Sequence, residues 1–205
     1  RSYSVTGVQT CALPIYVLKQ KVLGCTRCGL SQTRNNVIFG EGNRHAAIMI
    51  VGEGPGRDED LQGRPFVGKS GQLLDRILEA CGFTREKHLF ISNIVKCRPP
   101  DNRVPTPAEA EVCMPWLLNQ IELVKPGMMI LLGATALKYM AGSEYRITRD
   151  RGKWISCQGI VTMPVYHPAA LLRDPSLKRD TWEDFKQIVR RYRETCDPKH
   201  YSAHV

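Results

Sequence analysis

The chain lacks the features that mark membrane-spanning and secreted proteins. No apolar run is long enough to cross a bilayer. A charged leader, a long apolar core and a small-residue cleavage site are missing, so no signal peptide is recognised. Internal repeats and low-complexity segments are absent too, and 42% hydrophobic residues is typical of a globular protein. We therefore expect a cytoplasmic protein without a membrane partner.

Acidic residues are in the minority, with 20 Asp and Glu against 29 Lys and Arg, for a net charge of +9. The excess favours a polyanionic partner, first of all nucleic acid, although a basic surface that serves only solubility is an alternative. Because a secretion signal is lacking, the eight cysteines are expected to be thiols or metal ligands rather than disulfides.

A buried strand followed by a glycine-rich acidic turn organises the chain. Residues 46–51 (A-A-I-M-I-V) are apolar throughout, as expected for a strand covered on both faces. The next residues, G-E-G-P-G, form a non-helical turn that carries Glu53, and Glu59 follows between two aspartates. Ligands of open α/β sheets bind beyond the carboxyl ends of the strands, so we expect this turn to form the floor of a site. A solvated acidic loop is the alternative.

Strands and helices alternate along the rest of the chain, which predicts a mostly parallel sheet covered on both faces. The predicted strands are 46–51, 89–92, 128–132 and 160–165, with Asn93 at or just beyond the end of the second. The predicted helices are 16–23, 72–81, 107–124, 134–140 and 180–195. Residues 16–196 form one domain in this interpretation, with a tail over 197–205. Residues 1–15, including Cys11, resemble translated adaptor sequence and are set aside.

Four cysteines indicate a metal centre. Cys25-x2-Cys28 brings two thiolates together, Cys97 precedes a Pro-Pro loop, and Cys113 lies inside a predicted helix. Four thiolates suit either zinc or an iron–sulfur cluster, whereas Cys97 and Cys113 could also be ordinary buried thiols. The other cysteines of the domain are interpreted as packing residues: Cys81, Cys157 and Cys196.

The segment G-R-P-F-V-G-K-S, residues 63–70, matches the phosphate-binding pattern G-x-x-x-x-G-K-[ST]. That motif requires a strand leading directly into its first glycine. Here the preceding residues, 57–62, are polar and acidic and would repel phosphate. A nucleoside triphosphatase with a phosphate-binding loop is therefore a minor alternative.

Four motifs, taken in order, resemble the family 4 uracil-DNA glycosylases: G-E-G-P-G-R-D-E-D, G-R-P-F-V-G, S-N-I-V-K-C-R-P-P and H-P-A-A-L-L-R-D-P. The resemblance implies an α/β/α sandwich around a four-stranded parallel sheet. It also implies a [4Fe-4S] cluster at the positions of Cys25, Cys28, Cys97 and Cys113. The implied function is DNA repair: a monomer that hydrolyses the N-glycosidic bond of uracil in single- and double-stranded DNA and leaves an abasic site.

The resemblance also implies roles for residues that contact the base. Phe66 would stack on a uracil flipped out of the duplex, and Asn93 would read the N3–H and O4 edge of that base. His167 would donate a hydrogen bond to uracil O2 as negative charge develops. Gly54 belongs to the same pocket and occupies the place where better-known uracil glycosylases carry a water-activating Asp.

Glu53 is therefore our first candidate for orienting water or stabilising the sugar cation, and Glu59 for crowding the 5-methyl group of thymine. These two roles could be exchanged. Leu171, Leu172 and Arg173 resemble the family's penetration loop, in which an apolar wedge fills the vacated stack and a cation lies near phosphate. A non-catalytic iron–sulfur DNA-binding protein of the same fold is the main alternative, and separation of these residues in space would favour it.

Overall fold

The computed structural model of the protein describes residues 12–205. In that range the strands are β1 (Glu41–Gly42), β2 (Ile48–Gly52), β3 (Leu89–Asn93), β4 (Met128–Leu132), β5 (Ile155–Cys157) and β6 (Ile160–Val165). The helices are α1 (Ala12–Leu23), α2 (Arg57–Gln62), α3 (Lys69–Ala80), α4 (Pro107–Val124), α5 (Gly133–Ala141), α6 (Ile147–Asp150), α7 (Pro168–Arg173) and α8 (Leu177–Thr195). Short 3-10 turns cover Gly29–Gln32 and Pro100–Asn102.

The strands of the described range form one sheet in the order β1-β3-β2-β4-β6-β5. Its four central strands run parallel, as predicted, and all residues of β2, β3 and β4 are buried. Two short edge strands, β1 and β5, pair antiparallel and were not predicted. They cover the outer sides of β3 and β6, and because they are short they leave few unpaired backbone groups at the sheet edges.

Side chains of the central strands alternate between two hydrophobic cores. Met49 and Val51 of β2 face the core that includes residues of α1, α4 and α5, whereas Ile48 and Ile50 face the core that includes residues of α3 and α8. Alternation of this kind gives three layers, helices on both faces of a sheet, because successive strand residues point to opposite sides. The α/β/α sandwich predicted from the sequence is confirmed.

The order of the parallel strands places a crevice at the end of β2. From β2 the chain continues to β3 on one side, and later to β4 on the other. In open sheets a ligand site forms at such a switch point, outside the carboxyl ends of the strands. The glycine-rich turn, residues 53–56, follows β2 directly at this point.

Several helix boundaries differ from the sequence prediction. Helix α1 begins at Ala12, and Ile15, which the sequence interpretation set aside, is buried in the core; residues 1–11, including Cys11, lie outside the described range. Helix α2 was not predicted, and it covers residues that the alternative interpretation placed in a solvated acidic loop. Cys81 and Cys157 are buried as predicted, but Cys196 is exposed, so its interpretation as a packing residue is wrong. Within residues 12–205, no helix combines the length and the apolar character needed to cross a membrane.

Candidate active site

A cavity of about 670 Å³ opens at the carboxyl ends of the parallel strands. Each of the four strands contributes to its lining: the turn after β2, the last residue of β3, the first turn of helix α5 after β4, and the residues after β6. The predicted residues that line it are Glu53, Gly54, Glu59, Phe66, Asn93, His167 and Arg173. The structure therefore brings together side chains that span more than half of the sequence.

Glu53 presents a carboxylate to the cavity. Its Oε2 accepts a short hydrogen bond from the hydroxyl of Thr135, which lies in the first turn of helix α5. The backbone carbonyl of Glu53 accepts from the N–H of Val95, which anchors the turn to the segment after β3. Thr135 was not identified from the sequence. It fixes one carboxylate oxygen and leaves Oε1 of Glu53 without a protein partner among the described residues.

Backbone N–H groups donate hydrogen bonds to both carboxylate oxygens of Glu59. Its Oε1 accepts from the N–H groups of Val67 and Gly68, both at 2.9 Å, and its Oε2 accepts from the N–H of Gly56 at 3.1 Å. The side chain thus joins the acidic turn to the loop that carries Phe66. Among the described residues, both oxygens of Glu59 are thus engaged by the protein, whereas Oε1 of Glu53 is not.

The same hydrogen bonds exclude the phosphate-loop alternative. The segment before Gly63 is helix α2, not the strand that the motif requires. The N–H groups of Val67 and Gly68, which would have to receive a phosphate, already bind the carboxylate of Glu59. A second anion at this position would be repelled.

Asn93 is the last residue of β3 and is 1% exposed. Its Oδ1 is buried and has no hydrogen-bond partner among the described residues. A Cβ at Gly52 would lie 2.5 Å from this oxygen and 2.6 Å from the Phe66 ring, so only glycine leaves room for both side chains. A buried acceptor without a donor is costly, and its presence in a cavity points to a ligand that supplies an N–H or O–H group.

Phe66 has a left-handed backbone, with φ of +52°, which is unfavourable for a residue with a side chain. Arg85 holds this conformation by donating to the carbonyl oxygens of Pro65 and Phe66, at 2.8 and 2.6 Å, while pairing with Asp75. The Phe66 ring lies 5.7 Å from the His167 ring, measured between centroids. No sequence signal indicated the contribution of Arg85.

Gly54 lines the cavity beside Val95. A Cβ at Gly54 would lie 2.7 Å from Cγ2 of Val95. The position therefore has no room for a carboxylate-bearing side chain unless Val95 moves. This crowding is consistent with Glu53, one residue earlier, being the carboxylate that faces the cavity.

His167 caps helix α7 through its ring. Nδ1 accepts a hydrogen bond from the N–H of Ala169 at 3.1 Å, so this nitrogen carries no proton and the neutral ring holds its proton on Nε2. Burial and, to a smaller extent, the positive charge of Arg173 lower the pKa of His167 to about 4, while Glu59 opposes the shift. At neutral pH the ring is an uncharged donor.

The His167 ring is expected to titrate near pH 4, well below the ordinary value of 6.5. Between those values the unfolded chain binds the extra proton and the folded chain does not, so His167 reduces stability as the pH falls from 6.5 towards 4. Nitrogen chemical shifts of the imidazole, assigned by comparison with His167→Gln, should show the Nε2–H tautomer down to about pH 5. A midpoint near 6.5 would contradict the neutral-donor assignment.

The predicted penetration loop is helix α7. Leu171 is 1% exposed, so the expectation that it enters a duplex is not supported: its side chain belongs to the protein interior. Leu172 is 44% exposed and is the apolar side chain available as a wedge. Arg173 is exposed, lines the cavity and forms no ion pair among the residues described.

The four predicted metal ligands, Cys25, Cys28, Cys97 and Cys113, line a second, smaller cavity, away from the first. Two donors from the protein reach their sulfurs: Arg34 Nη1 lies 3.1 Å from Cys97 Sγ, and the N–H of Lys96 lies 3.3 Å from Cys113 Sγ. Burial raises the pKa of the Cys113 thiol to about 11, and the nearby Lys96 opposes this shift. A bound metal would deprotonate such a thiol.

Across residues 12–205 no three Cys, His, Asp or Glu side chains are grouped closely enough to hold one metal ion. Trp116 lines the second cavity, and its buried indole N–H has no hydrogen-bond partner among the described residues.

Comparison with known proteins agrees with this geometry. Residues 39–186 match the Uracil DNA glycosylase superfamily. The chain is 44% identical to a type-4 uracil-DNA glycosylase of Thermotoga maritima, over 83% of this chain and 91% of the relative. It is 43% identical to one of Sulfurisphaera tokodaii, over 83% and 81%, and 40% identical to one of Archaeoglobus fulgidus, over 82% and 88%. The chain belongs to the type-4 uracil-DNA glycosylase family.

Proposed function

We propose that the protein excises uracil from DNA by hydrolysing the N-glycosidic bond, leaving an abasic site. The observation that carries the proposal is the convergence of four side chains, Glu53, Phe66, Asn93 and His167, on one cavity in a member of a uracil-DNA glycosylase family. Their separation would have favoured a non-catalytic DNA-binding protein. An enzyme that acts on a base must take it out of the stack, and the cavity supplies a place to receive it.

Base recognition is assigned to Asn93 and Phe66. The unpartnered Oδ1 of Asn93 can accept from uracil N3–H, and its amide N–H can donate to O4. Cytosine lacks the N3–H donor and carries a donor in place of O4. The Phe66 ring offers a stacking surface for any base, an interaction worth about 1–3 kcal/mol, so selection has to come from Asn93.

Departure of the base is assigned to His167. When the bond between C1′ and N1 breaks, its electron pair remains on uracil, and much of the charge reaches O2. The ring is uncharged at neutral pH because its pKa lies near 4, and its Nε2–H can donate a hydrogen bond to that oxygen. The uracil anion later takes a proton from solvent.

Attack by water is assigned to Glu53. The sugar is left with positive charge at C1′, and a carboxylate facing the cavity stabilises that charge and accepts a hydrogen bond from the incoming water. Water forms the new bond to C1′, and its proton passes to Glu53 or to solvent. Thr135 would hold one oxygen of Glu53 still while the other orients the water.

The direct test is incubation of the purified protein with an oligonucleotide containing one uracil, followed by alkaline cleavage of abasic sites. Strand scission only with the uracil-containing substrate supports the proposal. A matched oligonucleotide with cytosine at the same position is the control. Binding without scission would favour the non-catalytic DNA-binding alternative.

We further propose that Cys25, Cys28, Cys97 and Cys113 hold a [4Fe-4S] cluster. The shared cavity, the donors to two of the sulfurs and the unpartnered Trp116 N–H support this assignment. The cluster would tie the segment after α1 to the loop before α4 and to α4 itself. It would supply a crosslink between distant segments through its bonds to the four thiolates.

Protein purified without oxygen is therefore expected to be brown and to contain about four irons per chain. Cys113→Ser should lose most of the iron, because it removes one ligand. Cys157→Ser is the matched control: it changes a buried cysteine that does not line the second cavity and should retain the iron. Stoichiometric zinc without iron would replace the cluster with a zinc site.

The +9 charge and the exposed Arg173 support contact with DNA phosphates. Arg173→Ala is expected to weaken binding of all DNA sequences alike and to make the plot of log affinity against log salt shallower by about 0.9 on duplex DNA. Arg190→Ala, an exposed arginine of helix α8 that does not line the cavity, should leave the slope unchanged. Equal slopes for wild type and Arg173→Ala would remove Arg173 from the interface.

A further inference from the structure

Lys96 is a fully buried lysine that lines the four-cysteine cavity. Its Nζ lies 2.6 Å from Ser92 Oγ, 2.8 Å from the backbone carbonyl oxygen of Asn93 and 2.8 Å from Gln120 Oε1. These three acceptors match the three donors of an ammonium group. Burying a lysine is costly unless its donors are satisfied, so an arrangement this complete indicates a specific role for the side chain.

The surroundings of Lys96 connect elements that are distant in sequence. Gln120 belongs to helix α4, and its Nε2 donates to the carbonyl oxygen of Phe39 at 2.6 Å, while its Oε1 also accepts from Ser92. Helix α4 carries Cys113, whose sulfur accepts the backbone N–H of Lys96. One residue therefore touches the four-cysteine cavity through its main chain and the end of β3 through its side chain.

The Asn93 side chain, by contrast, has little to hold it. Its Oδ1 lacks a protein partner, and its near neighbours include the Gly52 backbone and the Phe66 ring. No hydrogen bond from the described residues to Oδ1 therefore fixes its direction, which depends on packing against these neighbours and on the position of the Asn93 main chain. The Lys96 ammonium fixes that main chain at the carbonyl oxygen of Asn93 itself.

From these contacts we infer that Lys96 is a positioning residue for base selection: it holds Asn93 in register and links the four-cysteine segment to the reading of the uracil edge. The inference rests on the proposed role of Asn93. A lysine that only stabilised the fold would, when replaced, lower stability and iron content without changing the preference for one base over another.

The test compares free uracil with N3-methyluracil as inhibitors of uracil excision. The methyl group removes the N3–H from which Asn93 Oδ1 would accept a hydrogen bond. The ratio of the two inhibition constants therefore reports whether the Asn93 side chain points at N3 of the base. Lys96→Met keeps the length of the side chain and removes the donors. It is expected to lower the ratio about tenfold, the size typical of one misdirected hydrogen bond. Iron content and thermal unfolding are measured alongside.

Arg34→Met is the matched control, since Arg34 also contacts a cysteine sulfur but not Asn93. It should keep the wild-type ratio even if iron is retained less well. An unchanged ratio in Lys96→Met, or an equal fall in Arg34→Met, would overturn the inference. If Lys96→Met does not fold, Ser92→Ala decides: a ratio lowered about threefold supports the inference, and the wild-type ratio overturns it. Wild-type protein that does not distinguish the two bases would instead refute the role of Asn93.

Discussion

Replacement of His167 by alanine is expected to slow single-turnover excision of uracil by about 10²–10³-fold, the usual effect of removing one oxyanion-type donor. Affinity for uracil-containing DNA should change only a few-fold, because the donor matters most when charge has formed on O2 in the transition state. The measurement is rapid-quench excision from a defined oligonucleotide, with binding determined separately. Wild-type rates in the variant would show that the leaving-group role is wrong.

A second variant separates chemistry from helix capping. His167 also accepts the N–H of Ala169, and alanine would leave this group without its cap. His167→Asn retains an acceptor at the N-cap, where asparagine is favoured, but lacks a donor at the position of Nε2. It should therefore be as slow as His167→Ala while unfolding at a temperature closer to that of the wild type. Asn93→Ala should differ from both, losing base selectivity as well as rate.

The central sheet was predictable because its strands are continuous apolar runs. Residues 46–51, 128–132 and 160–165 have no charged side chain, and burial on both faces requires that pattern. The edge strands β1 and β5 were missed because two or three residues carry no period. Helix α2 was missed for a related reason: its sequence, R-D-E-D-L-Q, has no apolar stripe, and the hydrogen bond from the Gly56 N–H to Glu59 marks its start.

The positions of the site residues could be predicted from the ends of the strands, but the residues that hold them in place could not. Glu53, Asn93 and His167 each follow or end a parallel strand, and the carboxyl ends of such strands meet at one edge of the sheet. Thr135 lies 82 residues from Glu53, and Lys96 lies 24 from Gln120. Contacts of this kind depend on tertiary geometry and produce no local pattern in the sequence. The hydrogen bonds of Glu59 could not be predicted for the same reason, since its partners are backbone N–H groups.

Within the acidic segment, the Glu59 carboxylate binds backbone N–H groups of the protein itself. Its carboxylate stands where a phosphate would sit in a nucleotide-binding loop, and receives the same kind of backbone N–H groups. In this protein the Glu59 carboxylate is the anion, and it fixes the loop that presents Phe66 to the cavity. Replacing Glu59 by glutamine leaves one of the three N–H groups facing an amide N–H, so the variant should be less stable by about 1–3 kcal/mol.

Glu53→Gln should give the opposite pattern. Glutamine has the same shape and can still accept from Thr135, so the free energy of unfolding should stay close to that of the wild type. The carboxylate charge that stabilises the sugar cation and accepts a proton from water is gone, and excision should slow by about 10²–10⁴-fold, the range for loss of a general base.

Thr135→Val completes the comparison, because it keeps the Glu53 carboxylate and removes only the hydrogen bond that orients it. Its rate should fall between those of the wild type and Glu53→Gln, because the carboxylate loses its fixed orientation but keeps its charge. The three variants are compared by single-turnover excision and by urea unfolding. If Glu53→Gln excises uracil at the wild-type rate while Glu59→Gln is slow and fully stable, the two carboxylates have been assigned the wrong way round. The water would then have to be oriented from the Phe66 side of the cavity.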